Sequence, residues 1–474
     1  MLLVVTMRGC IQREETRRSG RRLSGTVCAM FLLATAIASA IGQTPGEEAA
    51  QNPTVAATPV SITLEEAIRR AEANEPSYAA SLAESRVSSL DRSVARAGLL
   101  PSVSYHNQAL YTQPNGQQNQ AGQGVGAQPS PRFIANNAVR EYASQAVVNE
   151  TLGMGQWAAV RRADADAARS AAELEIARRG LVSAVTGLFF ESIAADNKLA
   201  IAERAHAESA DFTSLTTKRE QARESAHADV VKAQLAEQQR ERDLADAKVG
   251  AEKARLELAV LLFLDPRTPF ALTRPEGAAP LPSHSDVEQA AAKNNPELKS
   301  ALAALSVSNA EVQSARAAYL PDLGLNVTYG IDAPQFAVNG PDKVHNLGYS
   351  ASVTLDIPVW DWLATEHKVK QSEIRRDAAR VALTATQKRL IARLDEAYSE
   401  AATARDQLAS LDASVATAAE SLRLTKLRYT GGEATVLEVV DAQSAFVSAE
   451  NAREDGRVRY QAARADLQAL TGTM

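Results

Sequence analysis

Cysteine, aromatic residues and long apolar runs are all scarce in this chain of 474 residues. Its two cysteines, Cys10 and Cys28, stand near the N-terminus, so disulfides and cysteine-ligated metals are excluded for everything that follows them. No stretch after residue 42 offers the ~20 apolar residues that a transmembrane helix requires. If the chain spans a membrane, the remaining architecture is therefore a closed β-barrel.

Motifs that carry catalytic chemistry are also missing. The six histidines are scattered and include no pair at metal-ligand spacing on a helix. The sequence has no phosphate-binding loop, no G-x-S-x-G and no dinucleotide-binding glycine pattern. We therefore expect no enzymatic activity, no cofactor and no bound metal.

The N-terminus has the pattern of a secretory signal peptide. Arginines between residues 13 and 22 precede an apolar stretch over residues 27–38, and Ala38-Ser39-Ala40 offers a cleavage site. We predict a signal peptide at residues 1–40 and a flexible lead-in at residues 41–60; an uncleaved membrane anchor and a later start codon stay open. The remaining 45 basic and 55 acidic residues give a net charge near −10, which argues against a nucleic-acid partner.

An internal repeat is the most informative feature of the sequence. The segment that begins near residue 73 aligns with the one near residue 293 at a constant offset of 220, and further along the offset becomes 209. Such agreement in a common frame indicates a duplication. The matched positions are Asn74 and Asn294, Pro76 and Pro296, Leu82 and Leu302, Arg96 and Arg316, Leu100-Pro101 and Leu320-Pro321, Arg219 and Arg428, Val230 and Val439, and Ala233-Gln234 and Ala442-Gln443.

The two copies predict the same order of elements. The offset changes because the first copy carries a Gln-, Gly- and Pro-rich loop at residues 112–132. We assign the first copy to residues 61–264 and the second to 286–474, with a proline-containing linker at 265–285. Each copy predicts a helix of roughly 35 residues that ends at a proline, two strands, a very long helix, a turn and a return helix.

The strands are clearest in the second copy. Apolar residues alternate with glycine and small polar residues over residues 323–331 and 347–357, and less regularly over 103–111 and 138–148. Strands of this length with one apolar face suit a membrane barrel with a wet lumen, although a soluble two-sheet sandwich shows the same alternation. Because two hairpins cannot close a barrel, a barrel would have to be shared between subunits.

Coiled-coil spacing marks the long helices. A sustained 4-3 spacing of leucine and alanine predicts a left-handed coiled coil. The first long helix, from Gly153 to about Thr216, would be ~95 Å long at ~1.5 Å per residue, which is the length of a spacer. The seam positions are Leu390, Leu394, Ala397, Ala401, Ala404, Leu408, Leu411, Val415, Ala418 and Leu422 in the second copy, and Leu181, Val185, Leu188, Ala195, Leu199 and Ala202 in the first.

These segments together resemble the TolC-type outer-membrane efflux proteins of Gram-negative bacteria. The resemblance covers nearly all of residues 61–472, and its most specific stretch is LRYTGGEATVLEVVDAQSAF, followed by a heptad helix ending ADLQALTG. It implies a mainly α fold with β: a homotrimer in which each subunit gives four strands to a twelve-stranded outer-membrane β-barrel, continued by a coiled-coil helical tunnel in the periplasm. The implied function is a passive exit duct for a tripartite efflux or type I secretion system.

The implied partners are a periplasmic adaptor (membrane fusion protein), an inner-membrane pump and outer-membrane lipid. The implied site is the periplasmic tip, at the turn between each long helix and its return helix. Tyr429 of RYTGG matches the latch tyrosine of the family, and Glu438 and Asp441 match acidic residues that ring the entrance. Asp229 is the first-copy match of Glu438. Like charges converging on a three-fold axis would favour cations and raise the pKa of the carboxyl groups.

The same tip supplies candidates for the adaptor contact: Arg219, Arg428, Gly431 and Gly432. The two glycines are expected first to supply positive φ to the turn. Two departures from the family pattern leave the mode of closure open. Ala434 stands where some relatives have a basic latch residue, and Arg223 occupies the first-copy position that matches Gly432.

A simpler structural explanation exists for each of these interpretations. A soluble periplasmic coiled-coil adaptor or scaffold would share the signal peptide and the heptads, but it should have one helical hairpin flanked by β-rich halves. The acidic residues of the tip could be ordinary solvated helix residues. Trp157, Trp360 and Trp362 follow the second strand of each copy and could lie at a membrane interface or in a packed core. The sequence does not specify the exported substrate or the class of pump.

Overall fold

A computed structural model describes residues 60–111, 140–274, 280–333, 336–339 and 345–472. The predicted signal peptide, the lead-in before Val60 and the Gln-rich loop lie outside these residues. Within them, no helix is both long enough and apolar enough to cross a membrane. The elements in chain order are β1 (Val60–Ile62), α1 (Leu64–Asn74), α2 (Pro76–Ala97), β2 (Ser102–Tyr111), β3 (Arg140–Leu152), α3 (Met154–Gln221), α4 (His227–Leu262), β4 (Phe270–Leu272), α5 (His284–Asn294), α6 (Pro296–Ala317), β5 (Asp322–Ala333), β6 (Leu347–Asp356), α7 (Ala364–Thr430) and α8 (Val436–Thr471).

The first helical segment of each copy is broken in two. The prediction of one helix of about 35 residues is wrong, because α1 ends before Pro76 and α5 ends before Pro296. A proline disfavours helical geometry at the residue before it, and it starts a new helix well because its missing N–H is not needed there. Glu75 and Asn295 each end one helix and cap the next, with Asn295 Oδ1 accepting from the Leu298 N–H at 2.9 Å.

Four strands from the two copies form one antiparallel sheet in the order β2-β3-β5-β6. The copies join at its centre, where β3 pairs with β5. The register sorts the side chains into a mostly apolar face and a face of mainly glycine and small polar residues, as the alternation predicts. The apolar face contains Val103, Tyr105, Ala109, Tyr142, Ala146, Val148, Leu152, Leu323, Leu325, Val327, Tyr329, Ile331, Leu347, Tyr349, Ala351, Val353 and Leu355, interrupted by Asn107, Ser144 and Glu150.

A second, two-stranded sheet joins the start of the first copy to the segment that follows its return helix. Strands β1 and β4 pair in parallel, so β4 lies within the predicted linker. Ile62 and Phe270 from these strands pack with Phe189 of α3 and Leu258 of α4 into a buried apolar cluster. This cluster fixes the base of the first helical hairpin against the segment that connects the copies.

The long helices have the predicted length and seam. Helices α3 and α7 contain 68 and 67 residues, and each therefore extends about 100 Å at ~1.5 Å per residue. On α7 the seam positions Leu390, Leu394, Ala401, Ala404 and Leu422 are buried, as a coiled-coil seam requires.

The fold has two exposed sides that no other part of the described chain covers. Strands β2 and β6 are the two edges of the larger sheet. Helix α2 buries none of its residues, and it exposes Val87, Leu90 and Val94 at coiled-coil spacing. Helix α7 exposes Ile374 and Val381 in the same way. The chain therefore presents two different unpaired edges, one at each side.

Candidate functional site

Each long helix turns back at a short hairpin tip, and the two tips are equivalent in the repeat. The first tip connects α3 to α4 and the second connects α7 to α8. Ala222 and Gly431 end the long helices at equivalent positions, and Ala226 and Thr435 begin the return helices. The differences between the tips therefore lie in side chains and caps rather than in their length.

The second tip is held by a reciprocal cap. The Glu438 N–H donates to Thr435 Oγ1 at 3.3 Å, and the Thr435 N–H donates to Glu438 Oε1 at 3.1 Å. Arg428 lies 3.2 Å from Glu438 Oε2 and donates to the Glu433 carbonyl at 3.0 Å. Glu438 thus ties the first turn of α8 to the last turn of α7.

These contacts also set the charge state of Glu438. The hydrogen bond from the Thr435 backbone, aided by the Thr435 hydroxyl and Arg428, lowers the pKa of the Glu438 carboxyl. A lowered pKa means that the cap contributes stability above the usual glutamate pKa and loses it as the pH falls through the lowered value. Within one subunit the shift is opposite to the one expected from converging carboxylates, which stays a prediction for the assembly.

Only one of the two predicted turn glycines has positive φ. Gly432 has a φ of +81°, which confirms the prediction, whereas Gly431 ends the helix in ordinary right-handed geometry at −76° and the prediction for it is wrong. The Gly431 N–H still bonds to the Leu427 carbonyl, so the helix continues to this residue. Within this turn, Gly432 is the residue that adopts positive φ.

The first tip makes the same turn with less suitable residues. Arg223, which matches Gly432, adopts a φ of +65°, a conformation that costs a side-chain-bearing residue about 1–2 kcal/mol. Ala226, which matches Thr435, provides no side-chain cap. Asp229 instead accepts from the Ser225 hydroxyl at 3.4 Å and lies 3.8 Å from Lys232. The first tip is the strained one.

Exchanging these turn residues should change the stability of the two tips in opposite directions. Arg223→Gly removes the cost of positive φ and should stabilise the first tip by roughly 0.5–1 kcal/mol. Gly432→Ala should destabilise the second tip by a similar amount, roughly 1 kcal/mol, through the backbone alone, because an added Cβ there meets open space. Hydrogen exchange of residues 222–230 and 431–440 measures both effects. Faster exchange at the first tip of Arg223→Gly would contradict the assignment of strain.

Tyr429 is the centre of a small core that joins the two tips. Its side chain is 5% exposed, and its ring packs edge-on against Phe212 of α3 with centroids 5.1 Å apart. Its hydroxyl shares a hydrogen bond of 3.2 Å with Thr216 Oγ1. Val436 and Val439 of α8 complete the cluster. A residue of the second copy is therefore anchored mainly on the long helix of the first.

Arg219 reinforces this link from the first copy. Its Nη1 donates to the Tyr429 carbonyl at 2.6 Å, and its guanidinium lies 5.0 Å from the centroid of the Tyr429 ring. Nε lies 3.5 Å from Glu224 of its own turn. Arg219 and Arg428 match in the repeat, yet Arg428 closes its own hairpin and Arg219 reaches across to the other.

The structure brings four predicted site residues to one groove of about 320 Å³ between the tips: Arg219, Asp229, Tyr429 and Gly432. Arg428 and Glu438 form the separate pair on the second tip, and Asp441 is exposed one turn further along α8. The sequence reasoning missed Phe212 and Thr216. Phe212 is one of only nine phenylalanines in the chain, and its place near the end of a long helix is the one signal that could have identified it.

Comparison with known proteins identifies relatives for both the sequence and the fold. Residues 287–473 match the family model "Outer membrane efflux protein". The chain is 27% identical to protein CyaE of Bordetella pertussis over 403 residues, which are 82% of this chain and 79% of CyaE. It is also 27% identical to outer membrane protein OprJ of Pseudomonas aeruginosa, but over 37% of this chain and 36% of OprJ. The chain thus spans about a third of the length of that relative.

Solved structures share this fold over most of the chain. The Campylobacter jejuni CmeC outer membrane channel superposes with a TM-score of 0.72 at 16% identity, covering 86% of this chain and 85% of CmeC. A membrane protein from Pseudomonas aeruginosa gives 0.72 at 21% identity, covering 86% and 90%. The described residues therefore have the fold of these proteins, and the predicted order of strands and long helices is confirmed.

Proposed function

Because residues 287–473 match the family model of the outer membrane efflux proteins, we propose that this chain forms a passive exit duct across the periplasm and the outer membrane. The two-faced sheet is the observation that carries this proposal. Its apolar and polar faces are separated by register along four strands, and the strands continue into helices of about 100 Å. A soluble coiled-coil adaptor would not be expected to expose the apolar face of a four-stranded sheet to water.

The working unit is a homotrimer. Each subunit has two unlike edges, β2 with α2 on one side and β6 with α7 on the other, so copies can join head to tail in a ring. Three copies of a four-stranded sheet would give a twelve-stranded barrel with the apolar face towards lipid and the small polar face towards the lumen. The exposed apolar positions of α2 and α7 would form the matching coiled-coil contacts of the tunnel.

The chain acts in the cell outer membrane, with its helical tunnel in the periplasm. Residues 1–40 would direct its export and 41–60 would lead into the first repeat, which runs to residue 264 and is linked through 265–285 to the second. The duct would serve a tripartite efflux or type I secretion system, together with a periplasmic adaptor and an inner-membrane pump that supplies the energy. Family and fold are those of channel proteins rather than enzymes.

The hairpin tips would form the periplasmic entrance and its gate. Tyr429, anchored on Phe212 and Thr216, would hold the second tip against the first in the closed state. Glu438, Asp441 and Asp229 would ring the entrance. Arg219, Arg428, Gly431 and Gly432 would lie on the surface met by the adaptor. The engagement of Arg219 with Tyr429 supports a gate in which docking loosens a contact between the two copies.

Fractionation and planar-bilayer recordings test this proposal. We expect the protein in the outer-membrane fraction as a heat-modifiable trimer that conducts ions when reconstituted. Glu438→Ala combined with Asp441→Ala should lower the cation preference, because it removes two carboxylates per subunit from the mouth. Recovery as a soluble periplasmic protein that forms no trimer would favour the adaptor alternative. A conducting trimer with unchanged selectivity would contradict only the assignment of Glu438 and Asp441 to the entrance and would leave the channel proposal intact.

A further inference from the structure

A small cavity lies between α3, α4, α7 and α8, close to the cluster around Tyr429. Leu422 lines it from α7, about two helical turns before Tyr429. The cavity has a volume of about 10 Å³. One buried water molecule requires a volume of ~10–15 Å³, so the cavity suits a ligand with a single heavy atom.

Gln443 of α8 is the lining residue whose hydrogen bonding is incomplete. It is 7% exposed, and its Nε2 is shielded from solvent without a hydrogen-bond partner in the described part of the chain. A buried amide donor that stays unpaired is costly, whereas a water molecule in the adjoining cavity can accept from it. Gln234, its counterpart in the first copy, is exposed on α4, so the repeat does not require a buried glutamine here.

The charged groups around the cavity are balanced. Arg204 Nη2 donates to Glu450 Oε1 at 3.0 Å, and Lys426 Nζ donates to Glu208 Oε2 at 2.8 Å. Arg240 of α4 adds a second guanidinium group to the lining. A cation would therefore meet two guanidinium groups, and an anion would meet two carboxylates. A neutral molecule that both donates and accepts hydrogen bonds fits this lining best, and water is such a molecule.

We propose that one ordered water molecule occupies this cavity, where it accepts a hydrogen bond from Gln443 Nε2 and donates one to a carboxylate of the lining. The water joins the two copies, because Gln443 belongs to α8 of the second copy and Glu208 belongs to α3 of the first. It lies where the contact between the copies changes from the apolar packing of Tyr429 and Phe212 to ion pairs. The inference goes beyond the proposed function, because it concerns how the copies are joined and not conduction.

The alternative is a dry cavity beside an unpaired Gln443. Two observations favour water. Cavities that stay dry are apolar, whereas five of the ten residues that line this one are polar or charged. Glu450 is 6% exposed and accepts from Arg204 with Oε1, which leaves its carboxylate able to accept a further bond from water.

A crystal structure of the purified protein tests the proposal directly. At a resolution that shows ordered water elsewhere between the helices, we expect a density peak within about 3.2 Å of Gln443 Nε2 and of a carboxylate oxygen of Glu208 or Glu450. Crystals soaked in bromide should give no anomalous signal at this peak, because the expected occupant is not an anion. A cavity without a peak, a protein atom bonded to Gln443 Nε2, or a bromide signal would each overturn the proposal.

Gln443→Met tests the same site in solution, because methionine has a similar length and no amide donor. Loss of the bond to water should make hydrogen exchange of residues 439–447 roughly five-fold faster. In a dry cavity the substitution would remove an unpaired donor, and unchanged or slower exchange would therefore contradict the proposal. Gln234→Met is the matched control and should leave exchange of residues 230–238 unchanged; equal acceleration at both sites would rule out a role for the cavity. Neither experiment requires the protein to conduct ions, so failure of the proposed function would be seen separately.

Discussion

Replacing Val327 with arginine should prevent stable insertion of the protein into the outer membrane. Val327 lies in the middle of β5, in a row with Val103, Val148 and Ala351 across the four strands of the apolar face. An arginine facing lipid near the bilayer midplane costs about 2–4 kcal/mol, and a trimer would carry three of them. We expect loss of the heat-modifiable trimer from the membrane fraction, measured by fractionation and unheated electrophoresis.

Thr328 provides the matched control for this substitution. It is the next residue of the same strand, so the pleat places it on the polar face of the sheet, where it pairs with Ser350 of β6. Thr328→Arg should leave the trimer in the membrane and should reduce cation conductance, because the new charge faces the lumen. If both variants insert equally well, Val327 does not contact lipid, and the assignment of the apolar face to the lipid side is wrong.

Tyr429→Ala should open the contact between the two hairpin tips. The ring is almost fully buried against Phe212, and removing a buried aromatic side chain costs about 3–5 kcal/mol. The substitution also deprives Arg219 of the ring beneath its guanidinium. We expect fast hydrogen exchange in residues 209–222 and 429–440, and a higher single-channel conductance of the reconstituted protein.

Two further variants show which part of Tyr429 matters. Tyr429→Phe removes only the hydroxyl, and Thr216 keeps its bond to the Phe212 carbonyl at 2.9 Å, so the expected loss is about 1 kcal/mol. Glu220 occupies the equivalent position of the first copy and pairs with His227 on the surface at 2.7 Å. Glu220→Ala should leave the conductance close to that of the wild type. A Tyr429→Ala protein with wild-type conductance would show that this residue does not restrict the entrance.

The fold was largely accessible from the sequence because its signals are periodic and occur twice. The alternation over residues 323–331 gives the correct faces of β5, and the heptads give the correct seam of α7. The break at Pro76 was missed because the helical pattern continues on both sides of the proline. The φ angle of an individual residue, as at Gly431, also could not be predicted from its residue type.

The candidate site was accessible only in part. The resemblance places Tyr429, Glu438 and Asp441 at a tip, but it does not show their contacts. Glu438 belongs to the cap of its own helix, and its pairing with Arg428 follows from that turn. The partners of Tyr429 could not be read, because Thr216 lies 213 positions away in the other copy.

The sequence by itself determined the duplication, the two faces of the strands, the long heptad helices and the sharp turn at Gly432. The strand faces, the helix seams and the turn depend on interactions between residues close in the chain, where spacing alone fixes geometry, and the duplication follows from the match between the two copies. The tertiary structure decided that the two tips are unequal and that Arg219 and Tyr429 join them. These features depend on how helices of different copies pack or on strain that other contacts must offset, and no local pattern encodes either.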